Sequence, residues 1–310
     1  VTLIRSARPH ELPALLDRPE DPERNAATRA YLDQLLDTKC TRPEWCLVAE
    51  DGGGHVVGSV VLWTMPGQDV PYAFVLFEAP ADQDDTGIAL LDEAAARARA
   101  LGADELEHVV DSPAQEPQFQ RDPARRGELL RRAGFRVIRD GRRFRLRVPG
   151  ELPADDPRLT FSCLADLGPG PFIDLLEELL AETADARLAA DVEEYGARGA
   201  AERLFELTAS LRHEPRWWEI GYDADGTPAV ISLPAENPSV PVIGFVGVAP
   251  AHRGKGYAAS AVVRGTRILA ASGAEEIRGD CDAANTAMAK AFTRAGYENF
   301  ADRLEFHRSL

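Results

Sequence analysis

Val242-Ile243-Gly244-Phe245-Val246-Gly247-Val248-Ala249-Pro250-Ala251-His252-Arg253-Gly254-Lys255-Gly256-Tyr257-Ala258 is the stretch from which the rest of the chain is read. An apolar run ends in a proline-containing turn, passes into Arg-Gly-Lys-Gly and continues as small residues with helical spacing. That order predicts strand, loop, helix. Gly254 and Gly256 lack a Cβ, so main-chain N–H groups can turn toward a ligand. The helix that follows contributes unpartnered N–H groups and the positive end of its dipole. With Arg253 and Lys255 adding charge, the loop suits a phosphate or pyrophosphate. It is neither G-x-x-x-x-G-K-[ST] nor G-x-G-x-x-G.

Composition narrows the partners. The 310 residues suit two domains of about 150 each. A net charge of −16, from 51 acidic against 35 basic residues, argues against nucleic acid as a partner. Cys40, Cys46, Cys163 and Cys281 show no metal spacing and read as reduced thiols. His213 and His252 are single histidines with no ligand partner in spacing, so no metal is expected. With no signal-peptide pattern and no apolar run of about 18 residues, a soluble cytoplasmic protein, monomer or homodimer, is the expectation.

Along the first half, helices are expected over residues 6–16, 21–38, 88–101 and 127–133. Strands are expected over 1–5, 72–77, 106–110 and 144–148, with a hairpin of 45–50 and 56–63 closed by Gly52-Gly53-Gly54. Residues 146–157, rich in proline and aspartate, read as a linker. The second half then repeats the order. Strands are expected over 159–163, 217–222, 228–233, 242–248, 276–281 and 304–307, and helices over 171–190, 192–211, 257–272 and 286–294. Trp217 and Trp218, adjoining on a strand, should face opposite sides, with one in the core.

The repeat has anchors. Glu78-Ala79-Pro80 corresponds to Val248-Ala249-Pro250, Leu101-Gly102-Ala103 to Ser272-Gly273-Ala274, and Arg132-Ala133-Gly134-Phe135 to Arg294-Ala295-Gly296-Tyr297. The first copy has Asp82-Gln83-Asp84-Asp85-Thr86-Gly87 where the second has the basic loop, and carboxylates there would repel a pyrophosphate. Two α/β domains are expected, residues 1–150 and 151–310, each with a mixed, mostly antiparallel central sheet and helices on both faces.

Arg253-Gly254-Lys255-Gly256-Tyr257-Ala258 fits R/Q-x-x-G-x-G/A, and Asn285, Gly296 and Tyr297 stand in register with a second, N-x-x-A…G-F segment. In both the chain resembles the GCN5-related N-acetyltransferases (GNAT), with a tandem arrangement similar to that of mycothiol synthase-like actinobacterial acetyltransferases. The likeness is close over about 240–300 and loose elsewhere. It implies acetyl-CoA as co-substrate, held by main-chain groups of Val246 and Val248 and by Arg253, Gly254, Lys255, Gly256, Tyr257 and Ala258. It implies further that Asn285 bonds the pantetheine arm or orients a water, and that Phe292 packs beside the sulfur.

Met288 replaces the family's common alanine, and Phe292 stands where a tyrosine often protonates the leaving thiolate. Either Tyr257, Cys281 or solvent is left as the acid, or the thiolate leaves without help. Strand 242–248 carries no carboxylate, so the base is sought at Asp280, Asp282 or Glu219, although a capping role for Asp282 is the plainer account. Eight acids between Asp174 and Glu194 sit on helices that would flank the acceptor, which favours a cationic amine. The expected activity is direct acetyl transfer to the amine of a small molecule in a ternary complex. The alternatives are a larger acyl donor, or a regulator or pseudoenzyme that binds acyl-CoA without turnover.

Overall fold

The computed structural model describes residues 2–11, 21–148, 150–237 and 240–310. The helix expected over 6–16 falls partly outside the described residues, and its described part beyond Ser6 forms turns. By internal contacts the chain divides into two compact units, Val1–Ile138 with Arg303–Leu310, and Arg139–Asp302.

The first unit contains β1 (Leu3–Ser6), α1 (Pro22–Asp37), β2 (Cys46–Glu50), β3 (Val56–Trp63), β4 (Ala73–Glu78), α2 (Asp84–Ala100), β5 (Glu105–Ser112) and α3 (Pro123–Arg132). The β2–β3 turn is set by Asp51, whose carboxylate accepts from the N–H groups of Gly53 (2.8 Å) and His55 (2.9 Å). Asp21 caps α1 in the same way, accepting from Arg24 N–H. The face α1 buries is Arg24, Thr28, Leu32 and Leu35. β1 to β5 are hydrogen-bonded in chain order, antiparallel except for the parallel pair β4–β5. The unit's last residues are fixed by Arg303, whose guanidinium makes two 2.8 Å bonds to the buried Asp111 carboxylate.

β6 (Arg136–Arg147) leads into the second unit. There follow β7 (Thr160–Cys163), α4 (Leu164–Leu167), α5 (Pro169–Leu180), α6 (Ala186–Ala209), β8 (Glu219–Tyr222), β9 (Pro228–Glu236) and β10 (Pro241–Val248). After them come α7 (Tyr257–Ala271), β11 (Glu276–Asp282), α8 (Thr286–Arg294) and β12 (Glu298–Ser309), whose residues from Arg303 onward belong to the first unit. The strand order is β6-β11-β10-β9-β8-β7, and only β10–β11 is parallel. Each unit is thus a mixed, mostly antiparallel sheet with helices packed on it.

Several sequence expectations shift. Asp185 ends the interval between α5 and α6 by accepting from the N–H groups of Arg187 (3.0 Å) and Leu188 (3.2 Å), so the two helices divide earlier than expected. α6 bends at Gly196, where φ +73° and ψ 163° are open only to glycine. Trp217 and Trp218 precede β8 instead of lying on it, so strand alternation does not apply and both are buried. Trp218 donates its indole N–H to the Pro234 carbonyl (3.1 Å) and stacks on His213. The linker is fastened along α7: Asp155 pairs with Arg264 (2.8 Å), Asp156 accepts from Ser260 (2.7 Å), and Pro153 O accepts from Arg267 (3.0 Å).

In both units the parallel pair meets at a single register position, Ala73 opposite Glu107 and Val242 opposite Arg278, and then separates. In the first unit the gap is filled by its own side chains. Gln118 Oε1 accepts from Leu76 N–H (3.1 Å) on β4, and Gln120 Oε1 accepts from Asp111 N–H (3.3 Å) on β5. Gln120 Nε2 donates to Val109 O (2.7 Å) and lies 3.1 Å from His108 Nε2. His108 Nδ1, 2.8 Å from the Phe74 carbonyl, carries the proton of a neutral ring. Burial holds that ring's pKa down to about 3, helped by the charge of Arg126.

Phe292 is a core residue. Its ring is fully buried, stacks on Phe144 at 4.9 Å and meets Tyr297 edge-on at 5.3 Å. A Cβ added at Gly279 would stand 2.7 Å from the ring's Cζ, so the ring edge packs directly on this glycine, and no partner for a hydroxyl is seen in this core among the described residues. Phe292→Tyr is therefore expected to destabilise the protein by about 1–3 kcal/mol in urea unfolding, with no gain in turnover. His108 gives a second expectation. Its folded pKa lies below the unfolded value of about 6.5, so the unfolded chain binds the extra proton. Stability then falls on acidification from about pH 6.5 toward 3, by up to about 1.4 kcal/mol per pH unit. Urea unfolding at pH 7 and pH 5 should show this slope reduced in His108→Gln.

Candidate active site

The site begins where β10 ends. A 3₁₀ turn, Pro250–His252, carries the chain into the glycine loop, and Gly254 (φ +79°) and Gly256 (φ +84°) take left-handed conformations. Gly256 is also the N-cap of α7, and no side chain caps that helix. Among the described residues, the main-chain N–H groups of Gly254 to Ala258 make no hydrogen bond within the protein. Five unpartnered donors and the positive end of a helix dipole therefore lie together, with no acidic residue in the first turn of α7.

Arg253 bonds Glu182 at 2.8 Å, which joins the loop to the segment after α5. Lys255 has an exposed side chain, and its carbonyl accepts from Arg158 Nη1 at 3.1 Å. Arg158 also lies over the Tyr257 ring, 4.6 Å from its centroid. His252 is buried, with Nε2 2.8 Å from Asp223 Oδ2 in the β8–β9 turn. That bond is the first cause of the lowered Asp223 pKa. Sequence reading did not single out Arg158 or Asp223, because each acts from a distant turn and no motif marks it.

Beyond the Val242–Arg278 contact, the separation of β10 from β11 opens a cleft of about 1070 Å³ within Arg139–Asp302. Val246 and Val248 of β10, Arg253, Gly254, Gly256, Tyr257 and Ala258 line it. So do Asp280, Cys281, Asp282 and Asn285 at the far strand and the start of α8. The structure thus gathers all but three of the expected site residues around one space. Lys255 and Glu219 stand outside the lining, and Phe292 faces the core.

The candidate bases differ. Asp282 is buried with both oxygens engaged, accepting from Ala186 N–H (3.1 Å) and Ala284 N–H (2.8 Å), and so ties β11 to the start of α6. It does not cap α8. That is done by Asn285, whose Oδ1 accepts from Met288 N–H at 3.1 Å. Glu219 is held by Arg264 through bonds of 2.6 and 2.8 Å and lies outside the cleft lining. Asp280 is 53% exposed in its side chain, with one oxygen 3.3 Å from Arg139. Of the three candidate bases it is the one that is both exposed and on the cleft lining. Burial pushes the Cys281 thiol up to about 12, which leaves it protonated and a poor proton donor. Tyr257 is mostly buried and reaches the cleft beside the loop.

Of the eight acids expected near the acceptor, Glu182, Asp185 and Asp191 reach the lining. Asp174 and Glu177 are turned to Arg198 at 2.6 and 3.1 Å. The remaining lining carboxylates are Glu206, Asp280 and Asp282, against the cations Arg139, Arg187, Arg203, Arg253, Lys290 and Arg294. The cleft is balanced in charge. Among the described residues no cluster of three or more His, Cys, Asp or Glu could hold a metal ion, and no helix is long and apolar enough to cross a membrane.

Residues 188–297 match the model of the acetyltransferase (GNAT) family. No curated protein matches the chain. Among solved structures, a GCN5-related N-acetyltransferase from Sphaerobacter thermophilus shares the fold, with 16% identity and a TM-score of 0.65 over 99% of this chain and 95% of that one. A GCN5-related glucosamine N-acetyltransferase region of a fungal multi-domain GH3 β-N-acetylglucosaminidase is similar over 99% of this chain and 38% of that one, with 14% identity and a TM-score of 0.58. The match to the GNAT acetyltransferase family model thus falls within the unit Arg139–Asp302, and the chain shares its fold with solved GCN5-related N-acetyltransferases.

Proposed function

We propose that the chain is an acetyl-CoA-dependent N-acyltransferase with one cofactor site, in the second half, and a small-molecule amine as acceptor. The observation that carries this reading is the set of unbonded N–H groups from Gly254 to Ala258 at the mouth of the cleft between β10 and β11. A pyrophosphate needs several donors and no opposing carboxylate, and the loop meets both needs. The cofactor supplies the acetyl group as an activated thioester. Main-chain groups of Val246 and Val248 orient the pantetheine arm, and Asn285, at the head of α8, borders it. Asp280 takes the proton that the acceptor ammonium must lose before its nitrogen can attack. No cysteine serves as an acyl carrier, since Cys281 stays protonated, and transfer is direct within a ternary complex.

We read the first half as a second copy of the same domain whose site is closed. Leu76, at the position corresponding to Val246, already has its N–H bonded to Gln118. Asp84, in the turn corresponding to the basic loop, is bonded by Arg125 (3.0 Å) and Arg132 (2.8 Å). The balanced charge of the cleft gives no general preference for a polycation, so the acceptor is read as a small amine of mixed polarity.

A non-catalytic acyl-CoA-binding role draws support from Phe292, which removes the tyrosine acid without a replacement at that position. Release of free CoA thiol with a panel of amines separates the readings, because a binder without turnover releases none. Titration calorimetry is expected to give one CoA per chain. Gly256→Val should weaken it at least tenfold, because a β-branched residue at φ +84° costs about 1–3 kcal/mol. Asp280→Asn is expected to lower kcat about 10²–10⁴-fold while CoA binding, read by calorimetry, is retained.

A further inference from the structure

We propose that Lys290 and Arg294 form a second anion site in the cleft, for the phosphate monoester that coenzyme A carries on its ribose. This rests on the acetyl-CoA reading and adds to it residues outside the loop.

Acidic residues outnumber basic ones 51 to 35 in the chain, yet residues 237–274 contain none, and neither does α8. Lysine is rare as well. Lys39, Lys255 and Lys290 are the only three, so two of them stand at the loop and at the cleft. On α8, Ala287, Lys290, Ala291 and Arg294 fall at i, i+3, i+4 and i+7 and share the face that lines the cleft. The two alanines keep that face low, so a ligand can lie against the helix between the cations.

Most other cations at the cleft are engaged. Arg139 pairs with Asp185 and Asp280, Arg253 bonds Glu182, and Arg203 lies over the Tyr195 ring at 4.1 Å. Lys290 and Arg294 make no ion pair among the described residues. They are like charges one turn apart, an arrangement that disfavours the helix unless an anion sits between them. The dipole at the C-terminus of α8 accounts for Arg294 but not for Lys290 in mid-helix.

The loop amides take the two diester-like phosphates, which leaves the dianionic monoester to be matched. A lysine point charge beside an arginine fork suits a terminal phosphate. Discrimination between CoA and its 3′-dephospho form follows from this geometry.

Calorimetry with CoA and 3′-dephospho-CoA on the wild-type chain and on Lys290→Gln/Arg294→Gln tests it. The wild type should prefer CoA by on the order of tenfold or more. The double variant should lose that preference, with its affinity for dephospho-CoA within about twofold of wild type. Equal weakening toward both ligands, or an unchanged preference, overturns the second anion site and leaves the loop reading intact. Binding of neither ligand by the wild type overturns the acetyl-CoA reading and the site with it. Both side chains are solvent-facing, and a matching urea midpoint verifies that the variant is folded.

Discussion

Two parallel strands that part after one register position leave main-chain N–H and C=O groups facing a gap, and buried groups of that kind must find partners. The chain meets this constraint twice in different ways. In the first unit, Gln118 and Gln120 supply amide oxygens and nitrogens to β4 and β5, and His108 completes the network. A side-chain amide mimics a peptide, so the glutamines stand where a neighbouring strand would. In Arg139–Asp302 the same gap is an open cleft. An amide-bearing arm such as pantetheine offers the groups that Gln118 and Gln120 offer in the first unit.

The loop depends on the same economy. Gly254 and Gly256 are left-handed, and no cap or carboxylate competes for the N–H groups of the loop. The surroundings then hold the loop still. His252 fixes it to the β8–β9 turn through Asp223, Arg158 holds the Lys255 carbonyl, and Glu182 holds Arg253. These bonds restrain the loop before a ligand arrives, so less conformational freedom is lost on binding. Arg253 has a double role in this account, since its charge is shared between Glu182 and whatever anion the loop receives.

Much of this was legible in the sequence because it is local. Gly52-Gly53-Gly54, Asp21 and the run 242–258 fix turns, caps and a strand-loop-helix within a few residues, and α8 has the bounds that its spacing predicts. What was not legible is tertiary. Tyrosine's place in the second family segment suggested that Phe292 sits by the sulfur, but which face of α8 meets the core is decided by Gly279 and Phe144, on other strands. Trp217 and Trp218 were misjudged because alternation presumes a strand, and β8 begins one residue later. The acids of α5 and α6 could be counted from sequence, but Arg198 turns Asp174 and Glu177 away from the cleft through contacts that no count foresees.

The placement of Phe292 bears on what the cleft asks of its other groups. If the tyrosine position faced the cleft, its phenyl ring would be a defect in an acid–base pair. Because the ring faces the core, stacked on Phe144 and pressed on Gly279, the position serves packing, and the wall of the cleft is the Ala287–Ala291 side of α8. No tyrosine hydroxyl is then supplied by α8. A thiolate is a stable enough leaving group to depart without full protonation, whereas an ammonium cannot attack at all. On the proposed acyl-transfer reading, the stricter demand therefore falls on the base, and Asp280, at the cleft and 3.3 Å from Arg139, is the carboxylate proposed for it.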